Sequence, residues 1–152
     1  MGYDAGKQVK GTKRFIAVDT DGLLLRVAVL NAGVQDWDGL LDLCQLVRPV
    51  SSRLTAGWVD RGFAGGVERV RDEFGWTLTV VRKAKGQRGF VVQPRRWVVE
   101  RTFAWLTDCR RLVKDYEVYA ETSEAFIYLA MIHLMLQRLA PNSDKPIWKA
   151  AA

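Results

Sequence analysis

Apolar and polar positions along the 152-residue chain fall into short, separable patterns. From Arg14 to Val18 and from Leu23 to Leu30 the residues are β-branched or large and apolar, with a turn signal at Thr20-Asp21-Gly22 between them. That spacing predicts a β-hairpin. After Asn31-Ala32-Gly33, Asp36 is placed to cap a helix in which Trp37, Leu40, Leu41, Cys44 and Val47 recur at three- and four-residue intervals until Pro49 stops the pattern. A strand from Leu54 to Val59, a helix from Val67 to Phe74 and a strand from Trp76 to Val81 follow. The polar stretch Arg82 to Gly89 reads as a loop. Pro94 suits a first helical turn, and no breaker interrupts the run from Arg95 to Leu112. A last helix is expected from Ser123, as its cap, to Leu139, stopped by Pro141 and followed by a flexible tail over 141–152. The order β, β, α, β, α, β, α, α is an α/β pattern.

Length and composition fit one globular domain, expected over 1–140. The longest apolar stretch, Ala125 to Leu136, is far shorter than the ~18–20 residues of a membrane-spanning helix, and Met1 to Lys10 has no apolar signal core. A cytoplasmic protein without a membrane partner is the expectation. Two cysteines, Cys44 and Cys109, and one histidine, His133, supply neither a disulfide framework nor a four-ligand zinc site. His133, inside an apolar run, reads as a packed or hydrogen-bonded helix residue, and Cys109 as an idle thiol.

Charge is concentrated. Ten basic residues and two acidic ones lie between Arg82 and Lys114, a local balance of +8 in a chain whose net charge is +6. Lys7, Lys10, Lys13 and Arg14 form a smaller cluster. Such a stretch suits a polyanion, because neutralised phosphates release counterions. It also suits a solvated helix face. Phe90, Trp97, Phe103 and Trp105, interleaved with the charges, have the spacing of core residues as much as of stacking platforms.

Two carboxylates stand out. Asp60 follows a short apolar strand, where ligand-handling groups gather in α/β sheets, although a turn or cap role fits equally. The glycines after it, Gly62, Gly65 and Gly66, match neither a dinucleotide fingerprint nor a P-loop. Glu100 is a lone glutamate among Arg95, Arg96 and Arg101, on the helix face of Arg96, Phe103 and Thr107. It either pairs with Arg96 at the surface or holds a cation beside bound phosphates.

Several separated motifs, in order, resemble the carboxy-terminal half of DDE transposases from bacterial insertion sequences: Gly2-Tyr3-Asp4-Ala5-Gly6-Lys7 through Lys13-Arg14, Val18-Asp19-Thr20-Asp21-Gly22-Leu23, Val59-Asp60-Arg61-Gly62-Phe63, Arg95-Arg96-Trp97-Val98-Val99-Glu100-Arg101-Thr102-Phe103, and Arg110-Arg111-Leu112 through Asp115-Tyr116-Glu117. The likeness runs from Gly2 to about Leu139. It implies an RNase H-like mixed sheet flanked by helices, and metal-dependent cutting and joining of DNA in transposition. By motif, Asp60 is the second Asp and Glu100 the Glu, each binding Mg²⁺ or Mn²⁺ in a two-metal site. Arg96 is then a phosphate contact; the concentration of charge adds Lys83, Lys85, Arg88, Arg95, Arg101, Arg110 and Arg111 as expected DNA-binding residues.

The resemblance starts at Gly2-Tyr3, downstream of the strand that bears the family's first catalytic Asp. A segment without that Asp and its central strand, inactive alone, is therefore expected. Asp4, Asp19 and Asp21 do not match it by motif. Asp108 stands where relatives often carry a basic or amide residue. Expected partners are transposon-end and target DNA, a second copy, or a full-length or upstream transposase chain. The other reading is a non-catalytic DNA-binding or regulatory protein that pairs with full-length transposase.

Overall fold

The structure is a computed structural model, and it describes residues 2–6, 8–81 and 96–140, with Arg96 as backbone alone. The predicted hairpin is its centre. Strand β1 (Gly2–Asp4) pairs antiparallel with the first residues of β2 (Val9–Val18), which pairs antiparallel with β3 (Leu24–Asn31) from Thr12↔Asn31 to Val18↔Leu24. β1 escaped the sequence pattern because three residues, one of them glycine, carry no alternation. β2 is also longer than its apolar part, since its first half is polar and follows β1.

Alternation places the two faces of this hairpin in different cores. Phe15 and Ala28 pack with Leu40, Leu41, Leu43, Cys44 and Val47 of helix α1 (Asp36–Val47). Val27 and Val29 pack on the opposite face with Leu106, Leu112, Ile127, Met131 and Leu134. These last residues come from α3 (Arg96–Thr107), a 3₁₀ turn at Arg110–Leu112 and α4 (Ala120–Leu139). The hairpin is thus the middle layer of three.

Parallel strands β4 (Ala56–Asp60) and β5 (Thr77–Val81) are joined by a 3₁₀ turn at Arg61–Gly66 and helix α2 (Val67–Phe74), which ends on left-handed Gly75 at φ 72°. They make a sheet of their own. Among the described residues the strands form two small sheets, a three-stranded antiparallel one and a two-stranded parallel one. Among the described residues no strand lies between β2 and β4 to hydrogen-bond them together.

Several predicted boundaries move. Gln35, not Asp36, occupies the cap of α1, and β4 starts at Ala56 rather than Leu54. α3 stops at Thr107 instead of running to Leu112; Cys109 is extended, and the 3₁₀ turn after it returns Leu112 to the core at 3% exposure. α4 begins at Ala120, so Ser123 is an interior residue with a buried hydroxyl rather than a cap. The loop over Arg82–Gly89, Pro94 and the tail lie outside the described residues.

The hairpin turn is fastened to α3. Asp19 Oδ1 accepts from the N–H groups of Asp21 (2.9 Å) and Leu23 (2.8 Å), and Gly22 has φ +79°. The buried Thr102 hydroxyl donates to the Gly22 carbonyl at 2.7 Å. A Cβ on Gly22 would lie 2.9 Å from Thr102 Oγ1 as well as in the left-handed region. Gly22→Ala is expected to lower the urea-unfolding free energy by about 1–3 kcal/mol, with Gly22→Asn costing less.

Candidate active site

Asp60 is the last residue of β4, in register with Val81 of β5. It is exposed and extended (φ −70°, ψ 163°), and its side chain makes no capping bond to the 3₁₀ turn it precedes. A polar group at this place costs little because the strand's apolar work is done by Val59, which packs into the α1 core. Glu100 lies one turn into α3 and is also exposed. The two come from distant elements yet line the same cavity, of about 1730 Å³, between β2, β4, α1 and α3. Asp4, Asp19, Asp36 and Asp115 line it too.

Oxygen donors of this kind suit Mg²⁺ or Mn²⁺, which take hard carboxylate ligands. Among the described residues, however, no three of His, Cys, Asp and Glu are gathered closely enough to hold an ion. Asp60 and Glu100 are two of the carboxylates that line this cavity, and a complete ligand set needs more than these two.

A feature that the sequence reading passed over orders the end of β4. Lys13 Nζ donates to the Val34 carbonyl at 2.9 Å and to Asp36 Oδ1 at 3.1 Å, and lies 3.6 Å from Asp4 Oδ2. Its side chain is only 21% exposed. Asp36 in turn sits against Gly62, where a Cβ would come within 2.9 Å of Asp36 Oδ2. Lys13, counted earlier with a basic cluster, is thus an internal ion-pair hub that ties β1, β2 and the start of α1 to the turn after Asp60. Its position in β2 on the same face as Phe15 was the available signal.

The basic residues divide in the same way. The Arg101 guanidinium stacks on Trp97 (4.3 Å) and Trp105 (4.7 Å) and donates to the Asp21 carbonyl at 2.8 Å. Such cation–π contacts contribute about 0.5–2 kcal/mol depending on desolvation. Arg111 pairs with Glu117 at 2.7 Å and lies over Phe126 and Tyr116. Both are engaged within the fold, Arg101 holding the hairpin turn against the helix that bears Glu100. Arg110 is exposed. Lys83, Lys85, Arg88, Arg95 and the Arg96 side chain lie outside the described residues.

Burial, aided by the negative charge of Glu73, pushes the Cys44 thiol from 9.0 up to about 11. His133 is exposed on α4 and bonds Gln137 at 2.7 Å. Cys44 should therefore resist thiol reagents at pH 8 until the chain unfolds. Because its folded pKa is raised, its contribution to stability is complete below pH 9 and falls away as pH rises from about 9 to 11, which pH-dependent unfolding of wild type against Cys44→Ala measures.

A family model described as the transposase DDE domain matches residues 1–135, most of the chain. The chain belongs to the DDE transposase family. It is 32% identical over 128 residues to a putative transposase for insertion sequence element IS402 from Burkholderia cepacia. That alignment covers 78% of this chain and 60% of the relative, so the chain spans less than two thirds of the relative's length. No solved structure matches the chain. Among the described residues of this transposase-family chain, no helix is long and apolar enough to cross a membrane. The family assignment agrees with the resemblance read from the order of motifs in the sequence.

Proposed function

We propose that this chain is the part of an insertion-sequence transposase that contributes two of three metal-binding carboxylates, Asp60 and Glu100, to cleavage and joining of DNA strands. The observation that carries this reading is the convergence of the end of β4 and the start of α3 on one cavity in a chain of this family. Divalent ions bound there supply Lewis-acid stabilisation of charge on phosphodiester oxygens. Asp60 and Glu100 would hold the ions. Lys13 and Asp36 fix the turn beyond Asp60, while Thr102 and Arg101 fix α3 against the hairpin.

In this reading the fold is RNase H-like, the space between β2 and β4 belongs to a central strand bearing the third carboxylate, and 1–140 forms one domain with it. DNA is the substrate, bound by Arg96 and by Lys83, Lys85, Arg88, Arg95 and Arg110. Arg101 and Arg111 act on it through the fold they brace. The purified chain should bind duplex DNA weakly, and that binding should fall steeply between about 50 and 200 mM salt, as a fluorescence-anisotropy titration measures.

The test of the proposal is strand nicking and joining of DNA carrying the element's ends, with Mn²⁺. Two proteins are compared: this chain, and a version lengthened at its amino end by an aspartate-bearing strand from the upstream reading frame. Activity in the lengthened form alone is expected. Inactivity of both on such DNA, with the lengthened protein folded, would overturn it in favour of a regulatory DNA-binding role.

A further inference from the structure

Helix α4 is apolar on two opposite sides, and among the described residues one of them is covered. Ile127, Met131 and Leu134 are buried in a shared core with Val27 and Val29 of β3. About 160° around the helix from these three run Ala125, Leu129, Ile132, Leu136 and Leu139. All five are exposed, the four large ones between 46% and 82%. A helix at the surface of a domain turns charged and polar residues outward, whereas one that is apolar all round belongs inside a larger packed structure.

The spacing of the exposed side names the shape of what covers it. Steps of four, three, four and three residues from Ala125 to Leu139 are those of a heptad seam, along which two helices interlock at positions recurring about every 3.5 residues. Such a seam is narrower than the face a helix lays on a sheet, so it fits a second helix. Charge then favours this chain's own α4 in reverse. Glu124 accepts from the Val29 N–H at 2.8 Å and the Arg138 guanidinium lies over the Trp105 ring at 4.4 Å, so both are held on the side of the fold. Glu121, exposed in the first turn, lies in line with the seam. A parallel copy would set two Glu121 carboxylates against each other. An antiparallel copy keeps them roughly 30 Å apart and opposes the two helix dipoles. The residues beside the stripe, Tyr128, Met135, His133 and Gln137, are not the Lys and Arg with which a helix lies on an anionic membrane.

We propose that this chain pairs with a second copy through α4, antiparallel and about a two-fold axis, with Leu129 of each copy against Ile132 of the other and Ala125 of each against Leu136 of the other. The pairing is isologous, so every contact is made twice and one sequence serves both sides. No residue of α4 lines the cavity reached by Asp60 and Glu100, and the pairing stands independently of what that site does.

Sedimentation equilibrium of the whole chain, without DNA, tests this. A reversible dimer is expected, its dissociation constant raised at least a hundredfold by Leu129→Lys combined with Leu136→Lys and unchanged by Val118→Lys, at an exposed valine before α4. The double variant should keep the circular dichroism and thermal unfolding of the wild-type monomer, since neither leucine belongs to the core. Disulfide trapping in a Cys109→Ser background, with Cys44 buried, reads the orientation. Chains with Ala125→Cys and chains with Leu136→Cys should link to each other at least tenfold faster than either links to itself, because identical positions lie about 16 Å apart along an antiparallel pair, beyond disulfide reach. A chain monomeric at every concentration, a dimer that withstands both lysines, equal weakening by Val118→Lys, or self-linking as fast as cross-linking would overturn the proposal. Unfolding of the double variant would overturn it as well, by showing that the stripe serves the chain's own core.

Discussion

Replacing Glu100 by Gln in the lengthened, cleavage-competent protein is expected to reduce Mn²⁺-dependent strand nicking by roughly a thousandfold or more while leaving affinity for duplex DNA undiminished. The amide keeps the shape of the side chain on α3 but loses the charge that a hard divalent cation requires. Glu100 sits in a segment of net charge +8, so removing its negative charge cannot weaken attraction to phosphate. Asp60→Asn should give the same split, because Asp60 reaches the same cavity from β4. Arg96→Ala should do the opposite, lowering DNA affinity along with nicking. If Glu100→Gln instead lost DNA binding together with thermal stability, the glutamate would be serving the surface pair with Arg96 that its spacing also allows. Anisotropy and nicking assays on the same preparations distinguish these results.

The largest stability effect is expected at Gly39. This glycine is buried in the first turns of α1, and a Cβ there would lie 2.5, 2.7 and 2.8 Å from three atoms of the Phe15 ring. Phe15 is 6% exposed and edge-packed against Phe63 at 6.1 Å, so moving the ring disturbs that contact. Alanine gains about 1 kcal/mol of helix propensity over glycine, yet overpacking a full core costs about 1–3 kcal/mol. Gly39→Ala should therefore come out neutral to destabilising by up to about 2 kcal/mol, and Gly39→Val, larger and β-branched, by about 3 kcal/mol or more. The same pairing predicts that Phe15→Leu partly rescues Gly39→Ala, a coupling that a double-mutant cycle reads directly. Gly11, where an added Cβ meets nothing within 4 Å, is the control: Gly11→Ala should change stability by less than about 0.5 kcal/mol.

Much of this architecture was legible in the chain because local periodicity and burial agree. The hairpin, α1 and α2 all form close to where the pattern puts them, since each buries one well-defined apolar face. The misses share a physical cause, which is that long-range contacts decide them. Ser123 looks like a cap, but packing of α4 on the hairpin extends the helix three residues earlier and buries the serine. Arg101 belongs to a basic stripe in sequence, but two tryptophans one turn away on either side of it, and the Asp21 carbonyl 80 residues upstream, hold its guanidinium. Alternation puts Lys13 on the face of Phe15, but its partners were hidden from periodicity because Asp4 and the Val34–Asp36 segment lie elsewhere along the chain. The division into two sheets was equally hidden, since strand pairing across a sheet is a non-local choice.

Asp60 and Glu100 are candidates for another reason. Motif order singles them out, and the fold then brings them to one cavity although 40 positions separate them in sequence. The account stands on their sharing a metal ion. Mn²⁺ binding by the lengthened protein, followed by electron paramagnetic resonance, measures that directly. Binding in the wild type that weakens at least tenfold in Asp60→Asn and in Glu100→Gln alike is the predicted result. Binding that survives both substitutions, or depends on one carboxylate and not the other, would contradict a shared site.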